Sequence, residues 1–340
     1  MIAGAALTAW LADRDIQERS HARIKSIARD WRSHPLMTDL EERLAQLPVR
    51  TSAAVLDAAR AFMDRDDDIA ALVGDFVAAG RADPYFRPPF SPASDVATGL
   101  LLFHNPDLSI VLSVSELDTL VATKTGPRGS TSIGFPGISA VFRFIKSGGA
   151  TLSFWEAPRI TDGFLASQAG TCRFVERRRI EDGEEIALDG RYQSFIVEHA
   201  EADMVFFQAM ARTEAAPLSA EYDSKTLAFV GASSSDEATS RLQMMVSMLR
   251  VMDRRDALPV MAEALESPHF YTRWHIMREL LALDADAAFP LLKRMAAQDP
   301  HPEVRAAARQ TLDLFFSDEE EGEGAALDDD AGAGGLQCHA

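Results

Sequence analysis

Three arginines, Arg241, Arg273 and Arg305, stand 32 residues apart, and each opens a similar apolar run. The runs are RLQMMVSMLRVM at 241–252, RWHIMRELLALD at 273–284 and RAAARQTLDLFF at 305–316. The stretches between them correspond as well. ALPVMAEALESP at 257–268 lies over AAFPLLKRMAAQDP at 287–300, and both read as a second helix that ends in a proline turn. A period of this size implies stacked helix pairs, each burying its apolar face only against its neighbours. Such a stack is a surface for holding another molecule, and it names no reaction.

The rest of the chain is too long to belong to that stack. With 340 residues, 47% of them hydrophobic and 25% charged, the chain has the composition of a globular protein of two or three domains. Its formal net charge of −18 argues against general binding to nucleic acid. Eight of the acids fall in residues 317–340, which hold no Lys or Arg, so the remainder carries −10. The two cysteines, Cys172 and Cys338, form neither a disulfide framework nor a metal-binding spacing, which fits a reducing compartment. The first residues lack a basic segment ahead of their apolar stretch, and no run reaches the roughly 18 apolar residues that span a bilayer. A cytoplasmic protein without membrane contact is expected. The bias toward Ala, Arg and Asp fits a GC-rich bacterial genome.

Local patterns divide the chain into four parts. Residues 1–83 read as helices, with Thr38-Asp39-Leu40-Glu41 as a capping box. Pro84, Pro88, Pro89 and Pro92 then break regular structure. Residues 95–232 hold short apolar or alternating runs separated by Gly, Asp and Pro, the pattern of an antiparallel β-sandwich. Within it, CRFVERRRI alternates so that Cys172, Phe174 and Val175 point inward, and Gly126 to Gly134 read as a hairpin loop. Residues 239–316 are the helical repeats, and 317–340 form an acidic, glycine-rich tail expected to be disordered. The fold class is therefore α+β multidomain.

Two stretches resemble known families. Asp299-Pro300-His301-Pro302-Glu303-Val304-Arg305 through Arg309, with Ser267-Pro268 through Arg273-Trp274 one period earlier, is similar to the short bacterial variety of HEAT-like repeats over residues of about 241–316. The resemblance implies that an acid and an arginine spaced like Asp299 and Arg305 tie one repeat to the next, and that the block engages a protein partner. Ser267 stands where the first copy would carry the acid, which weakens that tie. The stretch from Glu181 to Gly190, followed by Tyr192 to Val197, resembles more weakly the strand–turn–strand of a cupin jelly roll. Metal-dependent cupins gather several His and a Glu, because a divalent metal needs convergent N and O ligands. Here His104 and His199 are the only histidines between residues 35 and 268, and no HxH pair exists.

Candidate site residues follow from these readings. Arg273, Trp274 and Arg305 are the candidates for partner binding on the repeats. Residues 123–180 carry nine basic side chains against Glu156, Asp162 and Glu176, a local charge of +6 in an acidic chain. Lys124, Arg128, Arg143, Arg177 and Arg179 are thus candidates for an anionic or small ligand, since a guanidinium grips a carboxylate or phosphate through two bonds. The bland reading of the same charges is solvated sheet surface. His104, Glu198 and His199 are the donors that a divalent metal would require, and otherwise no cofactor is expected. No nucleophile constellation is present. The favoured function is a non-enzymatic binding, adaptor or regulatory protein, its β domain holding a ligand or peptide and its repeats a protein partner. The alternatives are a cupin-like metal-dependent oxygenase or isomerase, or an accessory protein to a biosynthetic enzyme.

Overall fold

The computed structural model describes residues 8, 11–83, 98–118, 132–161 and 163–322. The chain divides into two compact units, residues 1–235 and 236–340. Among the described residues no helix is long and apolar enough to cross a membrane.

The first unit includes the helices α1 (Arg14–Arg32), α2 (Pro35–Ala45), α3 (Ser52–Met63) and α4 (Asp66–Ala82). Asp13 and Thr51 cap α1 and α3 by accepting from Ile16 N and Ala54 N. Asp66, Asp67 and Asp68 fill the first turn of α4, where carboxylates complement the helix dipole. The capping box expected at Thr38 is corrected: α2 starts one turn earlier. His34 is the N-cap, its ring accepting from Leu36 N, and Pro35 brings a φ already set for the helix. Thr38 lies inside the first turn and donates its hydroxyl to Pro35 O at 3.1 Å.

These helices lie on a five-stranded antiparallel sheet, in the order β1 (Thr98–His104), β2 (Leu108–Ser115), β9 (Met204–Ala211), β4 (Ser139–Lys146) and β7 (Glu185–Asp189). Side chains alternate across a strand. Val141, Phe207 and Ala209 therefore join one core with Leu40, Val55, Phe62 and Leu72 of the helices. Their neighbours Phe144 and Met204 join a second core with Leu152, Phe154 and Ile186. Leu152 and Phe154 belong to β5 (Thr151–Glu156), the middle strand of a sheet flanked by β6 (Arg173–Arg179) and β8 (Gln193–His199). The sequence supplied two faces, and the helices and the second sheet cover one each. Trp31 adds a polar tie, its Nε1 donating to Leu102 O at 2.8 Å.

A third sheet orders β11 (Phe229–Ser234), β10 (Leu218–Asp223) and β3 (Ser132–Phe135). It joins β8 through the Ser194 hydroxyl, which donates to Gly134 O. Two sequence expectations change here. Ser132 to Gly134 were expected in a hairpin loop and instead form most of β3, while residues 126–131 lie outside the described residues. Phe174 and Val175, expected inward, are exposed, because β6 is the edge of its sheet and a register shift opposite Phe154 and Trp155 breaks its alternation. Phe174 instead meets the Trp155 ring edge-on at 5.5 Å.

The second unit runs through α5 (Glu237–Val251), α6 (Leu258–Glu263), α7 (Phe270–Leu283), α8 (Ala285–Gln298) and α9 (Pro302–Gly322). Asp236 caps α5, accepting from Thr239 N at 2.7 Å. Val246, Met261, Ile276, Leu280, Leu292 and Val304 meet in one core drawn from all five helices. The helix α9 continues to Gly322 and so takes up the first acids of the C-terminal stretch.

Candidate functional site

The HEAT-like tie is present and its geometry can be read directly. Arg273 donates from Nε and Nη2 to both oxygens of Asp299, each at 2.8 Å, and from Nη1 to Ser267 O and Pro268 O at 3.0 Å. Both side chains are nearly closed to solvent, at 9% and 3% exposure. Burial raises the Asp299 carboxyl, but the Arg273 guanidinium and the His301 N–H outweigh it and hold it below its ordinary value. Arg305 repeats the backbone half of the motif, with Nη1 donating to Asp299 O and Pro300 O. Arg241 does not. It pairs with Glu237 on its own helix and is exposed, as expected once Ser267 replaces the acid that would reach back to it. Of the candidates for partner binding, Arg273 is thus buried within the array, and Trp274 packs against the repeat core.

Of the arginines considered for an anionic ligand, Arg143, Arg177 and Arg179 each have a carboxylate beside them. Arg143 sits on the helix-facing side of β4, bonded to Asp64 at 2.6 Å and Glu185 at 3.0 Å, and Arg60 of α3 reaches the same Glu185 at 2.6 Å. This pairing fixes the end of α3 to the sheet. Arg177 donates to Ser153 Oγ at 3.0 Å and lies near Glu198, and Arg179 grips Glu201 with both nitrogens. Lys124 and Arg128 lie outside the described residues. The metal donors are not brought together. His104, on β1 of the five-stranded sheet, has Nδ1 at 2.9 Å from Ser109 Oγ, whereas Glu198 and His199 lie on β8 of another sheet. Among the described residues no three His, Cys, Asp or Glu side chains converge. A divalent metal does not fit these three residues, since its ligands must meet within one coordination shell.

A half-open cavity of about 510 Å³ lies between β4, β7 and β9 on one side and β3, β8 and β10 on the other. Phe142 and Phe195 meet edge-to-face across it with ring centroids 4.9 Å apart, and Leu188, Met210 and Ala140 extend the apolar wall. Gln208, Gln193, Ser219 and Glu221 bring polar groups to the same space. Gln193 is already engaged, accepting from Asp189 N at 3.1 Å, whereas the side-chain amide of Gln208 has no hydrogen bond among the described residues. Among the described lining residues there is no Lys, Arg or His, and Glu221 is the one carboxylate. Gly137 turns the chain at the rim with φ of 73°, where a Cβ would stand 2.6 Å from Leu218 O, so a side chain is excluded. Sequence reading missed this site because two of its strands, β3 and β10, were not recognised. The buried alternation of Leu218, Ala220 and Tyr222 was the available signal.

None of the curated proteins matches the chain. Among solved structures, the central part is similar to KdgF from Halomonas sp., at 13% identity and a TM-score of 0.23, over 36% of this chain and 87% of that one. Ectoine synthase from P. lautus gives 13% identity and a TM-score of 0.23 over 36% of this chain and 71% of that one. A cupin domain from Bordetella pertussis gives 11% and 0.21 over 35% and 97%. At that level the likeness says nothing of activity. The family model of HEAT repeats matches residues 230–313, about a quarter of the chain, so helices α5 to α9 are similar to such repeats.

Proposed function

We propose that the protein is a ligand-responsive binding or adaptor protein: the β-sandwich holds a small, uncharged and mostly apolar molecule, and the HEAT-repeat block engages a protein partner. The cavity carries this reading. Its volume suits a small organic ligand, its wall is aromatic and aliphatic, and Gln208 offers an amide to fix orientation. The lack of a cation among the described lining residues disfavours an anion, because a buried negative charge needs a partner. Repeat arrays present extended binding surfaces, which supports the second half of the reading.

A neutral naphthylamine dye and its sulfonated analogue test the cavity. The neutral dye should gain fluorescence on binding and lose that gain in Ala140→Phe, which fills cavity space beside β4 without changing charge. The sulfonated analogue should bind at least about tenfold more weakly. Unchanged dye binding in Ala140→Phe, or tighter binding of the sulfonate, would overturn the reading.

A further inference from the structure

One residue of the sandwich breaks the apolar pattern of its own strand face. On β9, Phe207 and Ala209 belong to the core beneath the helices. Successive residues of a strand point to opposite faces, so Phe206, Gln208 and Met210 face the sandwich interior. Phe206 packs against the second core, and Met210 lines the cavity. Gln208 is thus a half-buried polar residue in an apolar row. In register it stands opposite Phe142 of β4, whose ring meets Phe195. An amide placed there without a partner is destabilising, and an apolar side chain of the same length would serve packing better.

The remaining polar side chains of the cavity lining are matched within the protein, with one exception. Gln193 accepts from Asp189 N at 3.1 Å and donates to Glu156 at 3.4 Å. Ser194 donates to Gly134 O, Ser235 donates to Ala216 O, and Ser219 pairs with Ser233 at 2.8 Å. Among the described lining residues, only the Gln208 amide and the Glu221 carboxylate have no partner. Glu221 lies on β10 and is exposed, at the mouth of the cavity. Its neighbours in register are Gly134 on β3 and Gly231 on β11, where a Cβ would meet nothing within 4 Å. No side chain at those two positions fences the carboxylate.

We infer that the ligand of this cavity is a neutral carboxamide or lactam carried on an apolar body, and that Gln208 selects it; this rests on the cavity reading given above. Gln208 offers an N–H donor and a C=O acceptor side by side. A carboxamide or lactam presents the complementary edge, a C=O beside an N–H, and fills both groups through two hydrogen bonds. A ketone or an ester supplies an acceptor alone and leaves the Gln208 oxygen unmatched. A carboxylic acid is ionised at neutral pH, so it also lacks the donor. Glu221 at the mouth repels that charge, and no cation of the described lining offsets it. The rings of Phe142 and Phe195 beside the amide suit an aromatic body.

Three probes on one ring system test this: 2-naphthamide, methyl 2-naphthoate and 2-naphthoate. In calorimetric titrations of the full chain, the amide should bind at least about tenfold more tightly than the ester, the effect of two net hydrogen bonds. The naphthoate should bind more weakly than either. Gln208→Met keeps the length of the side chain and removes both amide groups. In that variant the amide and the ester should bind within about twofold of each other, and Gln208→Leu should behave likewise. The neutral naphthylamine dye should bind both variants as it binds the parent, because the apolar wall is intact. Equal affinity for amide and ester in a parent that binds the dye overturns this inference alone. So does a preference for the amide that survives both substitutions, or a naphthoate bound as tightly as the amide. A parent that binds neither the dye nor the probes overturns the cavity reading, and this inference with it.

Discussion

The buried pair between Arg273 and Asp299 makes the sharpest stability prediction. Asp299→Asn keeps the shape of the side chain and removes its charge. The guanidinium, 9% exposed, then faces an amide where two charge-assisted bonds of 2.8 Å had been. Breaking one side of a buried ion pair costs about 3–5 kcal/mol, because the remaining charge is left uncompensated. Arg273 keeps its bonds to Ser267 O and Pro268 O, which favours the lower end, about 3 kcal/mol. At about 0.05–0.15 kcal/mol per residue, a block spanning residues 236–322 is worth about 4–13 kcal/mol, so the loss is a large share of it. Urea unfolding followed by helical circular dichroism measures this, with the repeat block losing structure at lower urea in the variant. The double substitution Arg273→Met with Asp299→Leu should return to within about 1–2 kcal/mol of the parent, since it removes both charges together. The pH dependence carries a definite sign. The folded carboxyl is held below its unfolded value of about 3.9, so its contribution is fully present above that pH and is lost as pH falls through the lowered folded value. The gap between parent and Asp299→Asn should therefore shrink on acidification below about pH 4. A cost under about 1 kcal/mol at neutral pH would refute the reasoning.

Other outcomes follow from single contacts. Thr51→Ala should cost about 1 kcal/mol by removing the cap of α3, whereas Thr38→Ala, inside α2, should stay within about 0.5 kcal/mol in the same unfolding assay. Glu185 is raised by burial but lowered more by Arg60 and Arg143, so Glu185→Gln should destabilise the first unit at neutral pH. The difference should close as the pH drops through the glutamate's lowered folded value, read by thermal melts across an acid series. Asp182, bonded to Lys146 and to the N–H and hydroxyl of Ser147, should titrate at about 2 in a carbon-detected NMR series. A midpoint near the ordinary 3.9 would mean those bonds do not persist in solution. Arg241→Ala should leave the repeat block within about 0.5 kcal/mol of the parent, in contrast to Asp299→Asn, because its ion pair with Glu237 is exposed.

The legibility of this chain tracks how local each signal was. The repeat could be read because it rests on spacing within one stretch of about 75 residues, and Ser267 marked a weaker tie in the first copy of the turn, where Arg241 pairs with Glu237 instead. Most strands were legible from period-two alternation, as in Leu108 to Ser115. The alternation failed for Phe174, where an edge position and a register shift overrode it. The start of α2 was misplaced because His34 is an uncommon cap and Thr38-Leu40-Glu41 imitates a better one. The candidate site was the least legible part. Its walls come from six strands spread over residues 132–223, and no residue among them carries a motif.

By itself the sequence determined the periodic helices, the alternating strands and the charge balance, all of which depend on residues close together in the chain. Only the tertiary structure decided that the arginines of residues 143–179 are matched by carboxylates, that His104 lies on a different sheet from Glu198 and His199, and that the sandwich interior is left partly open. Those outcomes turn on which strands become neighbours. Pairing between distant segments is chosen by the packing of whole faces, a quantity that no local stretch of residues contains.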